Sequence, residues 1–191
     1  MIESWKFLQV WERAGVPLLT AAGYSVKGDN ALRTQGKGLQ LISLERDQRQ
    51  GGRFTVNLAF AHDFARSFRD GKPIQLTSYA EAVFHARLGR LLQNKDVWWP
   101  YGATEADAEK TILAITQVAI AGADAWFETL ADPGGVYLTL KKGDLGDENL
   151  WHLAIYARAL GRNDEALEWL GRMKSTASHV TALKKEWGKD A

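Results

Sequence analysis

The side chains best suited to recognition chemistry are Asn57, His85, Arg87, Trp98 and Trp99, in the middle of the chain. A guanidinium presents a planar fork of donors that matches a carboxylate or phosphate, and it also stacks on aromatic faces. Arginine beside an indole therefore makes a surface for an anion. The chemistry depends on pairing. If Asn57 and the segment around His85 lie on neighbouring strands, then Asn57, His85 and Arg87 share the sheet face away from the apolar layer. Trp98 and Trp99 then fall on a further strand beside them. The opposing reading is structural: Arg87 pairs with an acidic side chain, and one tryptophan covers the second face of the sheet.

Other chemistries find less support. His62, His85, His152 and His179 never recur at ligand spacing, and the chain has no cysteine, so neither a metal nor any other cofactor is expected. His62-Asp63 follows the best strand, yet a polar pair opening a loop explains it. Gly36-Lys37-Gly38 lacks the strand–loop–helix setting of a phosphate loop and reads as a turn. No Gly-x-Ser-x-Gly elbow is present. Arg33, Lys37, Arg46, Arg49 and Arg53 make the first hairpins mildly basic, against Glu45 and Asp47. Basic strands with exposed aromatics would suit RNA, but Phe54 and Phe60 fall on the apolar face.

The elements that must position these residues follow from periodicity. Residues 4 to 22 have helical spacing interrupted at Val16-Pro17, which predicts a bent helix or two short ones. Ala31–Gln35 and Leu39–Arg46 flank the glycine turn as a hairpin. In Arg53–Phe60, apolar Phe54, Val56, Leu58 and Phe60 alternate with Thr55, Asn57 and Ala59, so one strand face is apolar and the other is not. Glu81–Leu92 fits a strand or a helix; the strand is preferred because Val97-Trp98-Trp99, just beyond it, is strongly β-prone.

Thr104, with Asp107 three residues on, opens a long helix. Its stripe Ala108, Ile112, Ile115, Ala119, Gly122 and Trp126 should cover the sheet. Asp132-Pro133-Gly134-Gly135 reads as its stop, and Val136–Leu140 as an edge strand or linker. From Asp147 the spacing is helical again. The string Ala-Leu-Gly-Arg-Asn-Asp-Glu-Ala-Leu at 159–167 resembles the central turn of a tetratricopeptide hairpin, in a single copy.

Composition bounds the class. The 191 residues, 46% hydrophobic and 25% charged, suit one large domain or a domain with an appendage. Lysine and arginine total 24 against 23 acidic residues, so no strong net field gathers nucleic acid or anionic lipid. The start Met-Ile-Glu-Ser-Trp-Lys is not a signal peptide, and the run from Ile112 to Phe127 is too short and wet to span a bilayer. A cytoplasmic location is the expectation. Of the eight tryptophans, all but Trp98 and Trp99 sit in apolar-periodic settings and are expected to fill cores.

Three stretches in order resemble a known family. Ala22-Gly23-Tyr24-Ser25-Val26-Lys27-Gly28, then Leu39–Leu44, then Arg53-Phe54-Thr55-Val56-Asn57-Leu58 are similar to a bacterial domain of unknown function, the one numbered four-three-zero-four. His85-Ala86-Arg87-Leu88-Gly89-Arg90-Leu91 and Asp96-Val97-Trp98-Trp99 resemble two further elements of that family. The resemblance runs from about residue 5 to 130. It implies strands at 81–91 and 96–100, and no activity, cofactor or catalytic residue comes with it.

Together these readings predict an α+β fold. An antiparallel meander of about five strands packs against an N-terminal helix and one long helix. The sheet domain is placed at residues 1–142, with a helical hairpin at 143–191. The leading functional expectation is a non-enzymatic binding protein that recognises another protein, as small immunity or inhibitor proteins do. The first alternative is a small-ligand binder or enzyme using the Arg87, His85, Asn57, Trp98 and Trp99 face; the second is an RNA-associated protein, with no membrane role in any of them.

Overall fold

The computed structural model describes residues 1–189. The chain divides into two compact units, one of residues 1–60 and 76–128, the other of residues 61–75 and the chain from 129 onward. All described residues after 142 lie in the second unit, which also takes in 61–75 and 129–142.

The first unit is α+β. It opens with α1 (Ser4–Val10), a π-helical turn (Trp11–Gly15) and α2 (Val16–Ala21). The break expected at Pro17 thus falls one turn earlier. Proline has no N–H for the carbonyl one turn back, and the wider π turn absorbs the defect. Six strands follow: β1 (Ser25–Lys27), β2 (Asn30–Gln35), β3 (Gly38–Arg46), β4 (Arg53–His62), β5 (Phe84–Arg87) and β6 (Trp99–Pro100). Their order is β1-β2-β3-β4-β5, and β6 also pairs with β4. Gly36, at φ +58°, starts the turn between β2 and β3, where Gln35 faces Gly38. Asn57 faces Arg87 and Ala59 faces His85, while Phe54 faces Trp99.

The segment 81–92 contains both of its readings in succession. Phe84–Arg87 is strand, and α3 (Leu88–Gln93) is helix, ending on Asn94 in the left-handed conformation. The change comes between Arg87 and Leu88, and in the new helix the missing Cβ of Gly89 lets the backbone of Lys95 and Val97 approach; a Cβ there would sit 2.7 Å from the Val97 nitrogen.

The long helix α4 (Glu105–Leu130) begins on the expected capping pair. Thr104 Oγ1 accepts from the Asp107 N–H at 3.2 Å, and Asp107 Oδ2 accepts from the Thr104 N–H at 2.9 Å. Its buried stripe is Ala108, Ile112, Thr116, Ala119, Ala123, Phe127 and Leu130. The predicted stripe agrees at Ala108, Ile112 and Ala119 but names Ile115, Gly122 and Trp126, which flank the contact. A 3.6-residue period does not return to the same line every third or fourth residue, so the true stripe passes beside them.

The Phe54 face of the sheet carries the core. Phe7 lies 5.1 Å from Phe54 and stacks on Tyr101, and Phe60 meets Phe127 at 6.0 Å. Phe54, Val56, Leu58 and Phe60 are all buried, each contributing about 1.5–3 kcal/mol. The opposite face of β4 is closed as well: Thr55, Asn57 and Ala59 are buried. The alternation that predicts one apolar face leaves this second cover unannounced.

The second unit contains α5 (Pro133–Leu140), α6 (Asp147–Ala159), α7 (Asn163–Arg172) and α8 (Ser178–Trp187). Val136–Leu140 is neither strand nor linker. Asp132 is the N-cap of α5, accepting from the N–H groups of Gly134 and Gly135 at 3.0 and 2.8 Å, and Pro133 occupies the first turn. The long helix does stop just before these residues, at Leu130, and the same residues also start the next helix, because proline is pre-shaped for that position. The 159–167 string forms the turn between α6 and α7, and α8 follows as a further helix beyond the expected hairpin. Trp151 is fully buried and donates from Nε1 to the Arg66 carbonyl at 2.8 Å. Trp169 donates to the Tyr137 hydroxyl at 2.9 Å, and that hydroxyl donates to Glu165.

Candidate functional site

The first unit holds a cavity of about 740 Å³ on the sheet face opposite Phe54. It forms where β3 and β4 turn at Arg46–Arg53 and where the 78–79 turn and Trp98 approach them. Strand alternation explains the choice of residues. Arg53 and Asn57 share one face of β4, and the antiparallel register sets Arg87 directly opposite Asn57.

Trp98 is the centre of the arrangement. The guanidinium carbons of Arg53 and Arg87 each lie 5.3 Å from its indole centroid. Arg53 is pinned from behind, its Nε donating to Asp47 Oδ2 at 2.6 Å. Asp47 in turn accepts from the N–H groups of Arg49 and Gln50, which ties down the loop. The Gln50 N–H, then the Arg53 guanidinium, then the Arg49 N–H stabilise the ionised carboxylate and lower its pKa to about 2.

Arg87 is held differently. Its Nη2 reaches Glu45 Oε2 at 3.4 Å and its Nη1 reaches Asp96 Oδ2 at 3.6 Å. Both lie beyond the roughly 2.7–2.9 Å of a strong charge-assisted bond, and the two carboxylates are different residues. The same Glu45 oxygen accepts a shorter bond, 2.7 Å, from Asn57 Nδ2. Arg46 donates to Ser4 and Asp29, but its buried Nε has no partner. The lining therefore holds Arg46, Arg49, Arg53 and Arg87 against Asp29, Glu45 and Asp47, an excess of one positive charge.

Of the residues singled out from sequence, Arg87 and Trp98 line the cavity, and Asn57 reaches it through Glu45. His85 shares their sheet face but stands exposed beside it, its ring edge-on to Tyr79, itself a wall residue. Trp99 turns to the other face, 5.9 Å from Phe54. Successive strand residues point to opposite sides, so Trp98 and Trp99 could not both belong to one site. The sequence reading places Arg46, Arg53 and Glu45 only among the mildly basic hairpin residues and does not join them to this site. Arg53 was open to discovery, since it has the same parity as Asn57 on a strand whose alternation is plain. Tyr79 and Asp29 come from a turn and a hairpin link, where no period operates.

The other candidates resolve into structure. His62 is fully buried, with Nδ1 at 2.8 Å from the Tyr156 hydroxyl and Nε2 facing the Ala131 carbonyl. Arg33, one of the basic hairpin residues, points inward to Asp124 and Gln40 and lies 4.4 Å from the Tyr24 ring. Among the described residues no group of three His, Asp or Glu side chains could hold a metal ion. Among them, too, no helix is long and apolar enough to cross a membrane.

The model of a family described as a domain of unknown function, DUF4304, matches residues 15–129, and the chain belongs to that family. No curated protein and no solved structure matches it.

Proposed function

We propose that this member of the DUF4304 family is a non-catalytic binding protein whose site is the arginine-lined cavity around Trp98, and that it takes a small anionic ligand. The observation that carries this reading is the convergence of Arg53 and Arg87 on one indole at the wall of a 740 Å³ cavity. That volume suits a small molecule, for which roughly 300–1,000 Å³ is usual. Each guanidinium lies over the ring and carries N–H donors that suit an anion. The arginines and the indole of the lining are groups suited to recognition.

The tryptophan count lends less to the protein-recognition reading. Trp11, Trp151, Trp169 and Trp187 are buried and supply no surface. The RNA reading loses Arg33 and part of Arg46 and Arg53 to internal acids.

Isothermal titration with acetate, citrate, phosphate, adenosine monophosphate and 2-naphthoate tests the proposal. At least one should bind saturably, and Arg87→Gln and Trp98→Ala should each weaken it about tenfold, the worth of a charged hydrogen bond. No binding by any of the five, or binding that survives both substitutions, would refute it.

A further inference from the structure

Resting on that reading, we infer that the ligand is a flat ring bearing one acid group, and that Glu45 occupies the place of this acid while the site is empty. Three observations lead there independently.

The first is the grip on Arg87. Its two terminal nitrogens reach two different carboxylates at 3.4 and 3.6 Å. Neither contact is the parallel double bond that a guanidinium forms with a single acid. Arg53, on the same indole, is held at 2.6 Å by Asp47 and has no such slack. Arg87 is thus held loosely enough to exchange a carboxylate partner for an incoming acid, and Arg49, whose side chain pairs with no acid among the described residues, is a further donor in the same lining.

The second is the position of Glu45. Asn57 holds its Oε2 at 2.7 Å, closer than Arg87 does. When Arg87 transfers to an incoming acid, Glu45 keeps its hydrogen bond from Asn57, and its side chain is about one-third exposed to water. The exchange therefore strands no buried charge, which is the usual obstacle to breaking an internal ion pair.

The third is charge and shape. The lining has four arginines and three carboxylates, so one negative charge balances it and a second would be in excess. Arg46 and Arg49 line the same cavity and add to its positive charge. Trp98 and the two guanidiniums over it give the wall flat groups, and a planar body is the shape that stacks on such groups. The acid supplies the charge and the ring supplies the area.

The experiment compares 2-naphthoate, acetate, 2-naphthol, phthalate and adenosine monophosphate by titration calorimetry on the full chain, in wild type and two variants. Wild type should prefer 2-naphthoate at least tenfold over each of the others. Glu45→Gln removes the competing acid and should tighten 2-naphthoate about fivefold. Asp96→Asn frees the same guanidinium from the exposed side, without touching a strand, and should tighten it in the same direction. Tighter binding of phthalate or the nucleotide than of 2-naphthoate overturns the inference while leaving the anion site standing. Weaker or unchanged 2-naphthoate binding in both variants overturns it too, by making Glu45 a support for Arg87 instead of its rival. Absence of binding by every acid removes both this inference and the reading beneath it.

Discussion

Acidification from pH 7 to pH 5 should cost the protein stability through one side chain, His152. It lies on α6 between the fully buried Trp151 and Leu153, and its Nδ1 is buried without a partner. Burial disfavours the charged imidazolium and pushes the pKa from 6.5 down to about 4. Between those values the unfolded chain binds a proton that the folded chain refuses. Stability is therefore intact above about pH 6.5 and is lost as pH falls toward 4. At about 1.4 kcal/mol per unit, the loss reaches about 2 kcal/mol at pH 5 and levels near 3 kcal/mol below pH 4. Urea denaturation followed by circular dichroism at the two pH values measures it directly. His152→Leu keeps the volume, removes an unsatisfied polar atom, and should be about neutral or stabilising at pH 7. The variant should lose about 2 kcal/mol less than wild type between pH 7 and 5. Equal losses in the two proteins would refute the reasoning.

Three further outcomes are expected. Gly89→Ala places a Cβ 2.7 Å from the Val97 nitrogen and 2.8 Å from the Lys95 carbonyl; neither is a side chain that can swing away, so the urea midpoint should fall by the equivalent of about 1–3 kcal/mol. Asp132→Ala removes the cap of α5 and should cost about 1 kcal/mol, read in the same assay, with an unchanged midpoint counting against the capping role. Asp47, ionised down to about 2, contributes stability above pH 3.8 that is lost as pH falls toward 2. The melting temperature of wild type should drop more steeply over that range than that of Asp47→Asn, and parallel curves would contradict it.

Much of the first unit was legible because its signals are local. Phe54, Val56, Leu58 and Phe60 alternate without interruption, and β4 forms where they do. Thr104 and Asp107 cap α4 as their spacing predicts. The failures share a cause, which is that one residue pattern serves two structures. Asp132-Pro133 ends one helix and begins another, and only the next turn shows which end it marks. Residues 84–93 hold a strand and a helix in succession, so a single period fitted across them fails. For the site, parity along β4 joined Asn57 to Arg87, and the same parity should have added Arg53. Glu45 and Asp29 became visible only when the hairpins closed, because long-range pairing of side chains has no period to read.

The short strands β5 and β6 lie one after the other along the same edge of β4, with α3 between them in sequence. The far edge is β1, three residues long. Pro100 in β6 has no N–H to offer a further strand. A sheet with a long, flat, unpaired margin invites other chains to add to it. Here each margin is short or broken, so concentrated solutions of the protein should remain free of strand-to-strand aggregation.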